Sequence, residues 1–343
     1  MVSRRALTLL LASVLAVALA VAGGTQTVPY VALTPGPAFN TLGSVGGTPV
    51  LSITGRATYP TQGSLDLTTV SVKDQITLFE ALWGWMSPSE AVVPREVVFP
   101  PDQTQQQADT QNTVLMRQSQ DDATTAALHE LGVPSQTTVE VETVAAGAPA
   151  ARALRTGDVL RTVDGQKVTT SASLRVLISK HTPGQTVRIG YTRAGSAATA
   201  TVATIASTDT PRRAIIGITP REVSSFPVKV SIMLKDVGGP SAGLMFALGI
   251  IDKLGPGSLT AGRDVAGTGE ITADGKVGPI GGIAQKMLGA KKQHATVFLS
   301  PADNCAEAKA NKPAGLTLVR VTTLKDALAA LAVLRAGGTP PSC

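Results

Sequence analysis

The hydrophobic pattern opens with an uncharged run from Ala6 to Gly24, rich in Leu, Ala and Val. At about 19 residues it is close to the length a helix needs to cross hydrocarbon. Arg4 and Arg5 precede it, and the next charged residue is Arg56. That bias places the N-terminus in the cytoplasm and the rest of the chain outside. Ala20-Val21-Ala22 also reads as a cleavage site, so residues 1–25 are expected to be a transmembrane anchor or a removable signal segment.

Beyond this run the texture changes three times. Residues 26–130 hold short β-rich stretches, among them Pro49–Ile53 and Leu65–Val70, then a Pro- and Gln-rich loop over Pro100–Gln107. A helix is expected from Asp121 to Glu130, with Gly132 as its stop. In residues 131–206, Val139, Val141 and Val144 begin a strand, and Gly157-Asp158-Val159-Leu160 leads into another that ends at the turn Asp164-Gly165. A helix near Ser173 to Lys180 and a strand pair over Val187–Val202 complete that stretch. Residues 207–338 alternate strand and helix signals, with residues 339–343 as a tail. Val228, Val230 and Ile232 alternate as a half-buried strand, and Leu244–Lys253 is apolar nearly all round, which asks for burial on every side. Thr296–Ser300 and Leu316–Val321 read as strands, and Thr323–Ala336 as an amphipathic helix.

Composition removes several classes and selects none. Hydrophobic residues at 43% can build real cores, aromatics are 3%, and the net charge of +6 is spread without a long Lys/Arg block. A nucleic-acid groove combines a basic patch with stacking aromatics, so no nucleic-acid partner is expected. Two cysteines cannot make a four-thiolate zinc site. His129, His181 and His294 are scattered, so neither a metal nor any other cofactor is expected. Cys305 and Cys343 form an even pair that an oxidising compartment would join; the alternative is two unrelated thiols.

Candidate chemistry comes from three stretches. Gly238-Gly239-Pro240-Ser241-Ala242-Gly243 places a serine at the positive end of the buried helix, where backbone amides face a developing oxyanion. An ordinary helix cap explains the same serine equally well. Gly281-Gly282-Ile283-Ala284-Gln285-Lys286 opens a second helix in which Ile283, Lys286, Met287 and Ala290 share one face, with Gln285 and Lys292 on the other. A lysine on a core-facing stripe is costly unless neutral, and burial lowers its pKa toward what a general base needs; snorkelling to solvent is the alternative. The third stretch is Asp264-Val265-Ala266-Gly267-Thr268-Gly269-Glu270-Ile271.

Residues 131–206 resemble a PDZ domain of the bacterial kind, on Gly147-Ala148-Pro149-Ala150, Gly157-Asp158-Val159-Leu160, Val163-Asp164-Gly165 and Arg193-Ala194-Gly195. The resemblance implies binding of extended peptides by strand addition, with Leu131-Gly132-Val133 as the nearest candidate for the carboxylate loop; a purely structural PDZ domain is the alternative. From Val228 to Leu299 the three ordered stretches resemble the proteolytic domain of Lon-type serine peptidases. That resemblance implies Ser241 as nucleophile and Lys286 as general base, with Thr268 orienting the lysine amine and Gly239, Pro240 and Ala242 supporting the serine turn. Asp264 and Glu270 take structural roles. The run Lys235-Asp236-Val237-Gly238-Gly239-Pro240 carries more glycine than ATP-driven Lon proteases usually have there.

No histidine sits in a catalytic context, and a neutral lysine does the same job. No Gly-x-x-x-x-Gly-Lys-Ser/Thr loop occurs in this sequence, so no nucleotide is expected. With the opening Tyr30–Pro37 segment, the arrangement resembles the membrane-anchored PDZ–Lon proteins of bacteria.

The fold class expected is therefore an α/β (α+β) Lon-type domain with a small β-rich PDZ domain, after an N-terminal transmembrane or signal helix. Residues 26–130 are expected to lend strands to the peptidase fold, with the PDZ domain as an insertion. The implied function is an ATP-independent, extracytoplasmic, single-pass membrane endopeptidase acting on polypeptides, its PDZ domain selecting unfolded or C-terminal segments. The alternatives are a catalytically silent PDZ adaptor for envelope proteins and a protease that only processes itself. Lon-type domains commonly form rings, which leaves room for a homo-oligomer.

Overall fold

Threonine caps start four of the helices. Thr77, Thr104, Thr170 and Thr323 each accept from a backbone N–H three residues on, and residues 80, 107, 173 and 326 return the bond as capping boxes, satisfying amides a helix start leaves open. The computed structural model describes residues 4–101, 103–234 and 237–343; Lys235 and Asp236 of the glycine-rich run lie outside them. In chain order the principal elements are α1 (Arg4–Thr25), β1 (Tyr30–Asn40), β2 (Ser64–Lys73), α2 (Leu78–Met86), β3 (Ala91–Pro94) and α3 (Gln105–Glu130). Then come β4 (Gln136–Val144), β5 (Val159–Val163), α4 (Ser171–Ser179), β6 (Thr186–Arg193), β7 (Ser196–Ala203) and β8 (Ile218–Ser225). The chain closes with α5 (Gly243–Leu254), β9 (Asp264–Gly267), α6 (Ile283–Lys292), β10 (Val297–Pro301), β11 (Thr317–Val321) and α7 (Leu324–Arg335).

Two compact units result. One is residues 133–227, and the other joins the chain up to Gly132 with everything from Val228 onward. The larger unit is built on a six-stranded sheet in the order β11-β10-β9-β2-β1-β3. Strands β2, β9, β10 and β11 are parallel, and β1 is antiparallel to both β2 and β3. Half of this sheet thus comes from residues before the smaller unit. The return at Val228 is fixed by Lys229–Ile232, which pairs antiparallel with Leu51–Thr54. Helix α5 is buried on all sides: Leu244, Met245, Phe246, Ala247, Leu248 and Ile250 have no exposed surface. Over it lies α3, whose inward residues Ala123, Ala126 and Ala127 are small enough to let the two helices approach.

The smaller unit is a twisted sheet in the order β7-β6-β5-β4-β8, with Leu174 and Ile178 of α4 in a core with Val139, Val141, Leu160, Val187 and Ile189. Strand β8 is an edge.

Three expectations need correction. The boundary expected at 207 falls instead at 228, because Ile218–Ser225 pairs with β4 from Ile218↔Val144 to Ser225↔Gln136. Pro220 hid that strand; it sits at a register shift on the sheet edge, where proline's missing donor does no harm. The loop expected over Pro100–Gln107 turns helical at Gln105, so α3 is 26 residues long. Helix α6 is not two-faced, since Gln285 is 6% exposed and as buried as Lys286 at 3%.

Candidate active site

The serine turn is held from three directions before any chemistry is considered. Gly239 has φ +83°, and its N–H donates to the Asn112 carbonyl (3.1 Å). Ser119 Oγ of α3 donates to the Pro240 carbonyl (2.8 Å). The Ser241 carbonyl accepts from the Gly269 N–H (2.9 Å) and from Thr268 Oγ1 (2.9 Å). Gly243 cannot be larger without displacement: a Cβ there would lie 2.6 Å from Ile271 and 2.9 Å from Ser119 Oγ. Ala242, buried, is the N-cap of α5, so Ser241 stands just ahead of that helix's positive end.

Lys286 reaches this turn from α6. Its Nζ lies 2.9 Å from Ser241 Oγ and donates to the Thr68 carbonyl of β2 at 2.7 Å. Thr68 is itself buried, and its Oγ1 donates to the Gly267 carbonyl (3.2 Å). Burial pushes the Lys286 amine down from 10.5 to about 8, because removal from water disfavours the ammonium form. A neutral amine offers two N–H groups and one lone pair. Spending an N–H on Thr68 leaves the lone pair free to take a proton from the serine.

The structure thus brings Ser241 and Lys286 together, with Gly239, Pro240 and Ala242 shaping the turn. Thr268 departs from its expected role: its hydroxyl bonds the Ser241 carbonyl, and a backbone carbonyl of β2 orients the amine instead. No sequence signal marks Thr68, since any residue there would present the same C=O. Asp264 shares the hydroxyl of Ser64 with Asp66, at 3.2 and 2.9 Å, while Glu270 lines the cleft beside Ser241. None of the three histidines lines it.

That cleft holds about 560 Å³. One wall is Thr69–Val72 of β2. Strand β9 pairs with β2 only as far as Leu67, whereas β1 continues to Lys73. Among the described residues, therefore, no strand covers the cleft side of β2 beyond Leu67.

A second pocket, about 450 Å³, lies wholly in the smaller unit between α4 and the segment Ile216-Gly217-Ile218 that enters β8. Gly217 is left-handed at φ +81°, and a Cβ on it would lie 2.3 Å from that of Ala148. Leu131, Gly132 and Val133 do not line this pocket. Leu131 is the C-cap of α3 and Gly132 turns left-handed after it (φ +63°), as helix ends commonly do. The aliphatic–glycine–aliphatic signal was present at Ile216–Ile218, after the strand pair rather than before it.

Cys305 and Cys343 are joined in a disulfide with Cα atoms 5.0 Å apart, and Cys343 packs on a cluster that includes Ala308 and Leu316.

Residues 229–333 match the family model of the Lon protease (S16) C-terminal proteolytic domain, and residues 114–204 that of the PDZ domain. Lon protease 1 of Sorangium cellulosum is 41% identical over 100 residues, which are 28% of this chain and 12% of that protein. The Lon protease of Azospirillum brasilense is 40% identical over 93 residues, 26% of this chain and 11% of that one. The chain therefore spans only about an eighth of the length of these relatives. Among solved structures, the PDZ domain of the SdrC-like protein from Listeria monocytogenes is 29% identical, covering 24% of this chain and 85% of its own, with a TM-score of 0.23. A proteolytic domain combined with a PDZ domain is the class these matches define. Within it, residues 229–333 are similar to the proteolytic domain of Lon-type serine peptidases, and α1 is long and apolar enough to cross a membrane.

Proposed function

We propose that this chain is an ATP-independent serine endopeptidase in which Lys286 is the general base for Ser241. The observation that carries this reading is the 2.9 Å approach of a buried amine to the serine hydroxyl. Lys286 takes the Ser241 proton as Oγ attacks the scissile carbonyl, and returns it to the leaving amine. The amides at the start of α5 favour the negative charge that develops on the carbonyl oxygen. An extended substrate segment adds to the open side of Thr69–Val72, where main-chain hydrogen bonds hold it against the nucleophile. A serine-directed phosphonate should label the wild-type protein on Ser241 and leave Ser241→Ala unlabelled; labelling that survives this substitution refutes the assignment.

The base works only when neutral, which fixes the sign of the pH dependence. Below about pH 8 the amine is protonated, so kcat/KM falls about tenfold per pH unit there and levels off above pH 8. Stability follows the same group. Its pKa is lower folded than unfolded, so the unfolded chain binds more protons between about 8 and 10.5, and stability from this group rises with pH across that window. Pre-steady-state acylation measured across pH 6–10 (roughly the range set by a lysine depressed toward 8) checks the first limb.

The smaller unit serves selection. Peptide segments, C-terminal or unfolded, add to the free edge of β8 with their end in the pocket formed by α4 and Ile216-Gly217-Ile218. Ile218→Asn is expected to weaken peptide capture by roughly tenfold, while short flexible peptides are still cleaved at the wild-type rate. Fluorescence polarisation with a C-terminal peptide library and a parallel cleavage assay separate the two effects. Helix α1 anchors the chain in the cell membrane, and the charge bias around it puts both units on the extracytoplasmic side.

A further inference from the structure

Helix α2 carries its apolar face on the wrong side for a soluble domain. The residues it turns to the sheet are small: Ala81 and Gly84 are buried, and a Cβ on Gly84 would lie 2.5 Å from Val92 Cγ2. Its large side chains point away. Leu78, Phe79, Leu82, Trp83 and Met86 share one face by helical spacing, Trp85 flanks it, and all six are 43–73% exposed. A contiguous apolar surface of this kind marks an interaction site.

Its position identifies the occupant. Every described residue of α1 is exposed except Gly23, which meets Phe79 of α2; a Cβ on Gly23 would lie 2.8 Å from the Phe79 ring. The patch therefore begins where the apolar α1 ends. The composition agrees, because the chain has only two tryptophans and both are in α2. Indole rings collect at the headgroup level of bilayers, one side apolar and the other wet. Trp85 is steadied by Tyr30, edge-on at 5.5 Å, whereas Trp83 is 69% exposed. Nearby cations are already paired, Lys73 with Glu80 and Arg95 with Asp74, so the attraction is apolar and aromatic rather than to anionic headgroups.

We propose that α2 lies in the interface of the bilayer crossed by α1, with Leu82, Trp83 and Met86 among headgroups and upper acyl chains, and so holds the peptidase unit against the membrane surface. This goes beyond the catalytic reading and needs only that α1 is retained as a span.

The two tryptophans make it measurable in the intact chain. Full-length Trp85→Phe protein, with Trp83 as its only indole, is reconstituted into phosphatidylcholine vesicles, checked by flotation, and compared in vesicles whose acyl chains carry bromine near the headgroup. The expected result is roughly twofold or greater quenching by the brominated lipid, as for an interfacial helix, with little quenching by aqueous iodide. Added anionic lipid or salt should leave both unchanged. Protein that floats but is quenched by iodide and not by bromine overturns the proposal. Blue-shifted emission that neither quencher reaches also overturns it, since a second copy or another protein then covers the patch. Protein that fails to float removes both anchor and docking, while peptide cleavage, assayed separately, reports on the catalytic reading alone.

Discussion

Lys286→Met is expected to lower kcat for peptide hydrolysis by roughly 10²–10⁴-fold, the range for loss of a positioned general base, with the fold intact. Methionine matches the length of the lysine stem and needs no desolvated charge. The variant should therefore unfold at or above the wild-type denaturant midpoint at pH 7, where the native amine is held against its preference for water. Lys286→Arg keeps a cation that cannot deprotonate and should be equally inactive. Steady-state kinetics on a fluorogenic peptide, run beside urea unfolding, make the comparison. An arginine variant that cleaves at the wild-type rate would falsify the base assignment, since no neutral base would then exist at this position.

Joint replacement of Cys305 and Cys343 by serine is expected to cost the larger unit about 4 kcal/mol against unfolding, the loop-closure value for a cross-link of this length. The two residues are 38 apart in sequence, and the bond ties residues 305–343 around β11, the edge strand of the larger sheet, and α7, the helix that contacts it. Wild-type protein unfolded in reductant should share the variant's midpoint. Neither cysteine lines the cleft at Ser241, so initial rates at low temperature should be unchanged. Midpoints that agree with and without reductant would mean that the bridge contributes nothing.

Much of the peptidase unit was legible because its chemistry forces unusual patterns. A helix that is apolar all round, as Leu244–Ile250 is, must be central. A lysine on an apolar stripe asks for a partner, and a serine in a Gly-Pro turn offers one. What could not be read was whatever depended on backbone or on small residues. The carbonyl of Thr68 has no side-chain signature. Helix α3 buries mostly alanines, with Met116 the single large buried residue of its first four turns, so no large-residue period announces them. Helix α2 was unreadable for the opposite reason: its large residues face outward, and periodicity alone does not say which side of a helix is in. Strand β8 was lost to a proline that the sheet edge tolerates.

The hydrogen bond from Lys286 to Thr68 joins residues 218 apart, and the whole PDZ unit is synthesised between them. A ribosome must therefore pass residue 286 before the amine meets its anchor. On the proposed reading, Ser241 is without its base until residue 286 has been made, so the order in which the chain is written keeps the serine quiet in shorter nascent chains.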